Sequence, residues 1–162
     1  TSGQIVHLSS MLEDYIVTAE KLKQVKNTFP FSKERADGVT KLFEVVSAIY
    51  RFTEIFLFAS KLVQNREFDD VKKVDINIEL YGVKGRMLFI WEFMRELWEP
   101  YVCHYKDDKI GISRTIPKDV LIAEFDRFAR ECVIEAFQKF GWKDPSEKVI
   151  STDQTKLLGR RI

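Results

Sequence analysis

The chain has 162 residues, of which 45% are hydrophobic and 31% charged, and its formal net charge is +1 at pH 7. This composition is typical of one globular domain and excludes a disordered or fibrous protein. The near-neutral charge gives no overall electrostatic reason to bind nucleic acid or an anionic membrane. Two cysteines and two histidines are too few for a disulfide scaffold, a four-thiolate zinc site or a histidine-based metal centre.

The first segment, residues 4–27, has apolar or small residues at alternating steps of three and four. This spacing predicts an amphipathic helix with a heptad stripe on one face. The stripe comprises Ile5, Leu8, Leu12, Tyr15, Ala19 and Leu22.

A second apolar stripe of the same spacing predicts a helix over residues 32–65, and further apolar residues such as Phe43 and Phe58 cover another face. A helix that is apolar on more than one face is buried among several neighbours. Unbroken, it would extend for about 50 Å. A compact fold of this length has a radius of gyration of only about 15 Å. Either Asp37-Gly38 therefore interrupts the helix or the molecule is elongated. We expect residues 1–66 to form a helical hairpin.

Strand patterns follow this helical part. Residues 74–80 alternate between apolar and polar side chains, which predicts a strand with one solvent-exposed face. Turn residues occupy positions 81–86, and residues 87–90 are the predicted return strand of a hairpin. Residues 101–105 and 110–115 are predicted to be a second pair of strands.

The most regular pattern is the last one. An apolar face from Val120 to Phe140 predicts a long helix that Pro117 opens and Gly141 ends. Residues 91–99 are ambiguous between helix and strand: four of their apolar residues fit helical spacing, and Pro100 ends that pattern. Residues 143–162 have weak periodicity and are predicted to be a flexible tail. We expect the α+β class: an N-terminal helical hairpin, then a small antiparallel sheet packed with one long C-terminal helix over residues 67–142.

Familiar catalytic motifs are missing from the chain. It contains no P-loop, no G-x-G-x-x-G, no H-E-x-x-H, no C-x-x-C and no G-x-S-x-G. Cys103 and His104 are neighbours on a predicted strand, where successive side chains face opposite sides, so they do not form a dyad. We interpret Cys103 as a small buried apolar residue. These features favour a non-catalytic protein, and no cofactor is expected.

Two alternatives come from charged residues near the predicted strands. Asp75 and Glu79 share one strand face, and paired carboxylates of this kind can hold Mg²⁺ in a phosphohydrolase or nuclease. The ordinary interpretation is the solvated face of an amphipathic strand.

The second alternative is a nucleic-acid-binding or regulatory domain. Its basic patch at the β-turns would comprise Lys84, Arg86, Arg114 and Lys118, provided that both turn regions lie at the same sheet edge.

The favoured hypothesis is a protein-interaction or oligomerisation module of a larger intracellular protein, located in the cytoplasm and using its two apolar helices. The partner would be another protein or a second copy in a homodimer. The candidate interface residues are Leu12, Tyr15, Phe43, Tyr50 and Phe58. No membrane partner is expected, because the longest apolar stretch, Ile49–Val63, is interrupted by charges and shorter than the roughly 20 residues of a membrane span.

Overall fold

The computed structural model describes residues 4–28, 36, 38–92 and 95–159. Helices and strands are mixed along the described chain, which confirms the α+β class. The elements are α1 (Glu13–Ile16), α2 (Ala19–Asn27), β1 (Lys41–Glu44), α3 (Val45–Leu62), a 3₁₀ turn (Arg66–Phe68), β2 (Lys73–Tyr81), β3 (Arg86–Phe89), β4 (Lys109–Pro117), α4 (Lys118–Lys139) and α5 (Glu147–Gly159).

Strands β2 and β4 form an antiparallel ladder in which Lys73 lies opposite Pro117 and Tyr81 opposite Lys109. The predicted alternation is confirmed, since Ile76 and Ile78 are buried while their neighbours on the other face are exposed. One face of this ladder therefore belongs to the core, and the long helix α4 packs beside it.

Strand β3 is not the partner of β2, so the predicted hairpin of residues 74–80 and 87–90 is wrong. It pairs in parallel with β1, from Lys41 opposite Arg86 to Glu44 opposite Phe89. The Gly82–Gly85 turn, with Gly85 at φ 72°, sends the chain into this second sheet.

The other edge of β3 is hydrogen-bonded to residues 101–103. The predicted pairing of residues 101–105 with residues 110–115 is therefore wrong. The amide of Leu88 donates to the carbonyl of Tyr101, and the amide of Cys103 donates to the carbonyl of Arg86, both at 2.9 Å. Residues 110–115 do form a strand, but within β4 and beside β2.

The β1–β3 sheet is buried on both faces. Phe43 and Leu88 belong to the main core. Leu42 and Met87, which face the other way, belong to a second cluster that Leu22 of α2 joins. Strands buried on both faces have continuous apolar sequences, which is why this segment looked like a helix. Phe43 is only 5% exposed, so its assignment to an interface is wrong.

Helix α3 begins later than predicted. Glu44 is its N-cap, and the side chain accepts a hydrogen bond from the amide of Ser47. A residue that caps a helix has extended backbone, so the chain before it continues as strand β1. The predicted helix over 32–65 is therefore corrected to Val45–Leu62. Its first positions, residues 32–35 and 37, lie outside the described residues.

The predicted N-terminal helix over 4–27 is also divided. Residues 4–11 have no helical structure, and α1 is separated from α2 by the extended residues Val17 and Thr18. The Ile16-Val17-Thr18 run is β-branched, which disfavours helix. Thr18 instead caps α2, its hydroxyl accepting from the amide of Lys21 at 3.2 Å. The N-terminal part therefore contains the two short helices α1 and α2 in place of one long helix.

Helix α4 ends as its sequence predicts. Gly141 has φ 93°. Its amide donates to Gln138 at 2.9 Å, and the amide of Trp142 donates to Phe137 at 3.2 Å. This bond pattern is the Schellman motif, which needs a left-handed residue at the position of Gly141.

The predicted flexible tail is corrected by helix α5. Ile150 and Leu157 are buried, and the amide of Gln154 donates to the hydroxyl of Thr53 at 3.1 Å. These residues recur at helical spacing with polar residues between them, so the apolar signal was weak. Residues 160–162 lie outside the described residues.

Helix α5 also forms an ion pair with residues 91–99, the segment whose structure the sequence left ambiguous. Residues 91–92 and 95–99 are neither helix nor strand, and residues 93–94 are not described. Arg95 donates through both terminal nitrogens to the carboxylate of Asp153, at 3.1 and 2.8 Å. The loop that follows β3 is therefore fixed by an ion pair with a buried partner.

Candidate binding pocket

The predicted basic patch is not assembled. The amide of Lys84 donates to Asp108, next to the Tyr81–Lys109 end of the β2–β4 ladder. Lys118 follows the opposite end of that ladder, about 27 Å away at roughly 3.4 Å per residue. Its ammonium donates to the carbonyl of Phe68 at 2.8 Å.

Arg86 is an internal residue. Its side chain is 2% exposed, and its nitrogens donate to the carbonyls of Gly82 and Leu42 and to the carboxylate of Asp14. Arg114 is 2.7 Å from Glu135. Arg86 is therefore not a surface residue that could bind an anion, whereas Arg114 is partly exposed and anion binding by it stays a prediction.

The predicted carboxylate pair has separate partners along the ladder. Asp75 accepts from the hydroxyl of Thr115 at 2.6 Å, and Glu79 forms an ion pair with Lys109 at 2.6 Å. The hydrogen bond from Lys109 lowers the pKa of Glu79 below its usual value. Within the described ranges, no group of three or more His, Cys, Asp or Glu side chains is placed to hold a metal ion.

The other predicted interface residues do not lie on one element. Leu12, the residue that precedes α1, and Tyr15 of α1 are exposed, and Phe58 is exposed on α3. Tyr50 is partly buried against the main core. Of this set, Leu12 lies in the pocket that we identify as the candidate site.

This pocket lies between α1, the beginning of α3 and the end of β3, and its volume is about 260 Å³. We call it the α1–β3 pocket. Its lining residues are Leu12, Glu13, Ile16, Glu44, Val46, Ser47, Phe89, Trp91 and Glu92. Apolar side chains and acids line it, and no described basic residue does.

Two carboxylates connect the walls of the pocket. Glu13 accepts the amide of Glu44 at 3.2 Å through Oε1. Glu44 in turn accepts the amide of Trp91 at 3.2 Å through Oε1, and its Oε2 caps helix α3. Each wall is therefore positioned by a hydrogen bond to a neighbouring wall.

Glu13 is the unusual residue of this arrangement. It is 5% exposed, and its Oε2 is the one buried side-chain polar atom without a hydrogen-bond partner in the described part of the chain. Burial of an unpaired carboxylate oxygen is energetically unfavourable, because the lost hydration is not replaced. Glu13 is also one of the residues that line the pocket, and a buried polar atom without a partner calls for an explanation.

The rim of the pocket is apolar and accessible. Leu12, Ile16 and Trp91 are 51%, 47% and 51% exposed. The Trp91 ring packs edge-on against Phe89, with centroids 5.7 Å apart, and the ammonium of Lys21 lies 5.1 Å from its centroid. Large exposed apolar side chains grouped around a depression are typical of a recognition surface.

Asp14 fixes the position of α1 beside this pocket. Its Oδ2 lies 2.6 Å from Nη2 of Arg86 and 3.3 Å from Nζ of Lys41. The hydrogen bond from Arg86 lowers the pKa of the Asp14 carboxyl below its usual value. Glu13 and Asp14 thus attach the same turn of helix to both strands of the β1–β3 sheet.

Neither Glu13 nor Glu44 was identified as a site residue from the sequence. Glu13 belongs to an amphipathic pattern in which an acid normally faces solvent. Glu44 carried a usable signal, since it interrupts the apolar run Leu42-Phe43-Glu44-Val45-Val46. An acid within such a run needs a partner when it is buried. The contact between Glu13 and Glu44 depends on the fold and has no local signature.

No protein-family model matches this chain, and no curated protein or solved structure shows significant similarity to it. A membrane crossing needs a longer and more apolar helix than any in the described part of the chain. The function is therefore inferred from the geometry of the α1–β3 pocket.

Proposed function

We propose that this chain is a non-catalytic protein-binding module of an intracellular protein, and that the α1–β3 pocket is its recognition site. The occupant is one long side chain from a segment of a partner protein. The apolar rim contacts the rest of that segment. The observation that carries the proposal is the grouping of exposed Leu12, Ile16 and Trp91 around a pocket lined by Glu13, a buried acid with one oxygen that has no hydrogen-bond partner.

The size of the pocket supports a side chain as occupant. Its volume of about 260 Å³ is below the roughly 300–1,000 Å³ typical of pockets for drug-sized ligands. Interfaces often depend on a few anchors that enter such pockets, with aromatic residues such as Trp91 contributing most. The acidic lining favours a partner segment of basic character through charge complementarity.

The described contacts give less support to the alternative functions. The basic side chains of the predicted patch are separated or have partners, so they offer no continuous surface for a nucleic-acid backbone. The carboxylates predicted to bind a metal are occupied by Thr115 and Lys109.

The test is a selection of linear peptides from a random library displayed on phage, followed by titration calorimetry with the synthesised peptides. Trp91→Ala should weaken binding by about tenfold or more, because it removes the largest anchor of the rim. Phe58→Ala is the matched control. Phe58 is as exposed as Trp91 but lies about 17 Å along α3 from Ser47.

Binding that is equal in both variants would contradict the proposal, as would failure to recover any peptide. Light scattering on the same samples distinguishes another occupant. A dimer that Leu12→Asp dissociates would make a second copy of this chain the occupant and would overturn the assignment of a different protein.

A further inference from the structure

We infer that the α1–β3 pocket binds the cationic head of a basic side chain, with Glu13 Oε2 as its hydrogen-bond acceptor. The inference rests on the proposed function and names the chemistry of the occupant. Arginine and lysine share the required features: an apolar stem and a positively charged N–H donor at its end.

The first argument is the unpaired oxygen. Glu13 lines the pocket, its Oε1 is used by the amide of Glu44, and its Oε2 has no partner although the residue is 5% exposed. A neutral donor would satisfy the lone pairs, but only a cation would also compensate the charge. Charge-assisted hydrogen bonds are roughly twice as strong as neutral ones.

The second argument is the balance of charge around the pocket. Glu13, Glu44 and Glu92 line it. Two described cations contact residues of this lining: Lys21 lies over the Trp91 ring, and Arg95 lies 3.2 Å from Glu92. These two basic side chains offset part of the acidic charge, and no described residue donates a hydrogen bond to Glu13 Oε2.

The third argument is the apolar and aromatic wall. Leu12, Ile16 and Val46 suit a methylene stem, and Phe89 and Trp91 place aromatic rings beside the stem and the head. Cations are attracted to aromatic rings, and guanidinium groups in particular stack on them. An acid, an apolar passage and an aromatic ring together define a site for a basic side chain.

The experiment compares small probes by NMR titration of the isotope-labelled chain. The probes are n-propylguanidinium for arginine, n-butylammonium for lysine and n-propylurea, a neutral molecule with a similar shape and N–H donors. We expect the cations to shift the resonances of Glu13, Glu44 and Trp91, with the urea binding about tenfold or more weakly. The two cationic probes together show which basic side chain fits better.

The variants locate the charge that is responsible. Glu13→Gln retains an oxygen that can accept the Glu44 amide but removes the negative charge, so it should abolish the preference for cations. Glu96→Gln is the matched control, because Glu96 is an exposed acid of the neighbouring loop that does not line the pocket. Thermal unfolding of each variant establishes that it is folded.

The outcomes separate the two proposals. If the urea and the cations bind the pocket equally, the cationic inference fails while side-chain binding in the pocket stands. If no probe shifts the pocket resonances and the selected peptides do not depend on Trp91, both proposals fail. The comparison of probes on the unaltered chain decides the inference even if Glu13→Gln does not fold.

Discussion

Asp14 and Arg86 form a 2.6 Å ion pair between residues 72 positions apart in the chain. The pair joins the four-residue helix α1 to strand β3. A helix of one turn is not stable by itself, because helix nucleation is unfavourable. The position of α1, and of the pocket residues Leu12 and Glu13, therefore depends on this contact and on the bond from the Glu44 amide to Glu13.

Asp14→Asn should lower the free energy of unfolding by about 2 kcal/mol, since it leaves the buried guanidinium of Arg86 without its counter-charge. Urea denaturation followed by circular dichroism measures the change. Lys41→Met is the control: Lys41 contacts the same oxygen but is half exposed, so its loss should cost less than about 1 kcal/mol. Equal effects of the two variants would contradict a special role for Arg86.

The same ion pair predicts the direction of a pH effect. The pKa of Asp14 is below its ordinary value of 3.8, with the hydrogen bond from Arg86 as the main cause. A carboxyl with a lowered folded-state pKa stabilises the fold above its unfolded-state pKa, and this contribution is lost as the pH falls through the folded-state pKa. The difference in unfolding free energy between the unaltered chain and Asp14→Asn should thus be constant near neutral pH and shrink below about pH 4. A difference that grew on acidification would refute this account.

Truncation of two phenylalanines on helix α3 should change the free energy of unfolding by very different amounts. Phe56 is fully buried in the main core, whereas Phe58 is 57% exposed. Phe56→Ala should cost about 3–5 kcal/mol by leaving a cavity. Phe58→Ala should change stability by less than about 1 kcal/mol. Thermal and urea unfolding of both variants measure these values, and a large loss for Phe58→Ala would place that ring in a contact that the fold does not contain.

Both thiols should be inert in the folded protein. Burial raises the pKa of Cys132 to about 11, and burial also raises the pKa of Cys103. The reactive thiolate is therefore scarce near neutral pH, and both sulfur atoms are shielded from reagents. Titration with dithiobis(nitrobenzoate) should find no rapidly reacting thiol in the native chain and both cysteines after unfolding in urea. Rapid reaction of one native thiol would show that its surroundings open easily.

The elements predicted best were those in which apolar residues recur at the regular spacing of a strand or a helix. The alternation around Ile76 and Ile78 placed strand β2, and the apolar face ending at Gly141 placed helix α4. Local periodicity is sufficient there because one face of each element packs on the core. Buried Cys103 also follows its prediction as a small apolar residue.

Strand β1, the strand partners and the pocket were not predicted, because each depends on contacts between distant parts of the chain. Leu42 and Phe43 place apolar side chains on opposite faces of β1, which lies between two hydrophobic clusters. Such a short apolar run has no period that separates strand from helix. Strand partners depend on the turn at Gly85 and on long-range packing. The pocket depends on a contact between Glu13 and Glu44 that no local pattern indicates, although the apolar run around Glu44 marks that acid by itself as unusual.

The bond between Gln154 and Thr53 has a consequence for how this chain reaches its native state. The two residues are 101 positions apart, and Ile150 of the same helix completes the main core. Contacts of such long separation slow folding, since a long loop must close before they form. During synthesis, the core stays incomplete until helix α5 has left the ribosome. Until then, apolar core residues of the incomplete chain are exposed to solvent, and the chain is prone to aggregate.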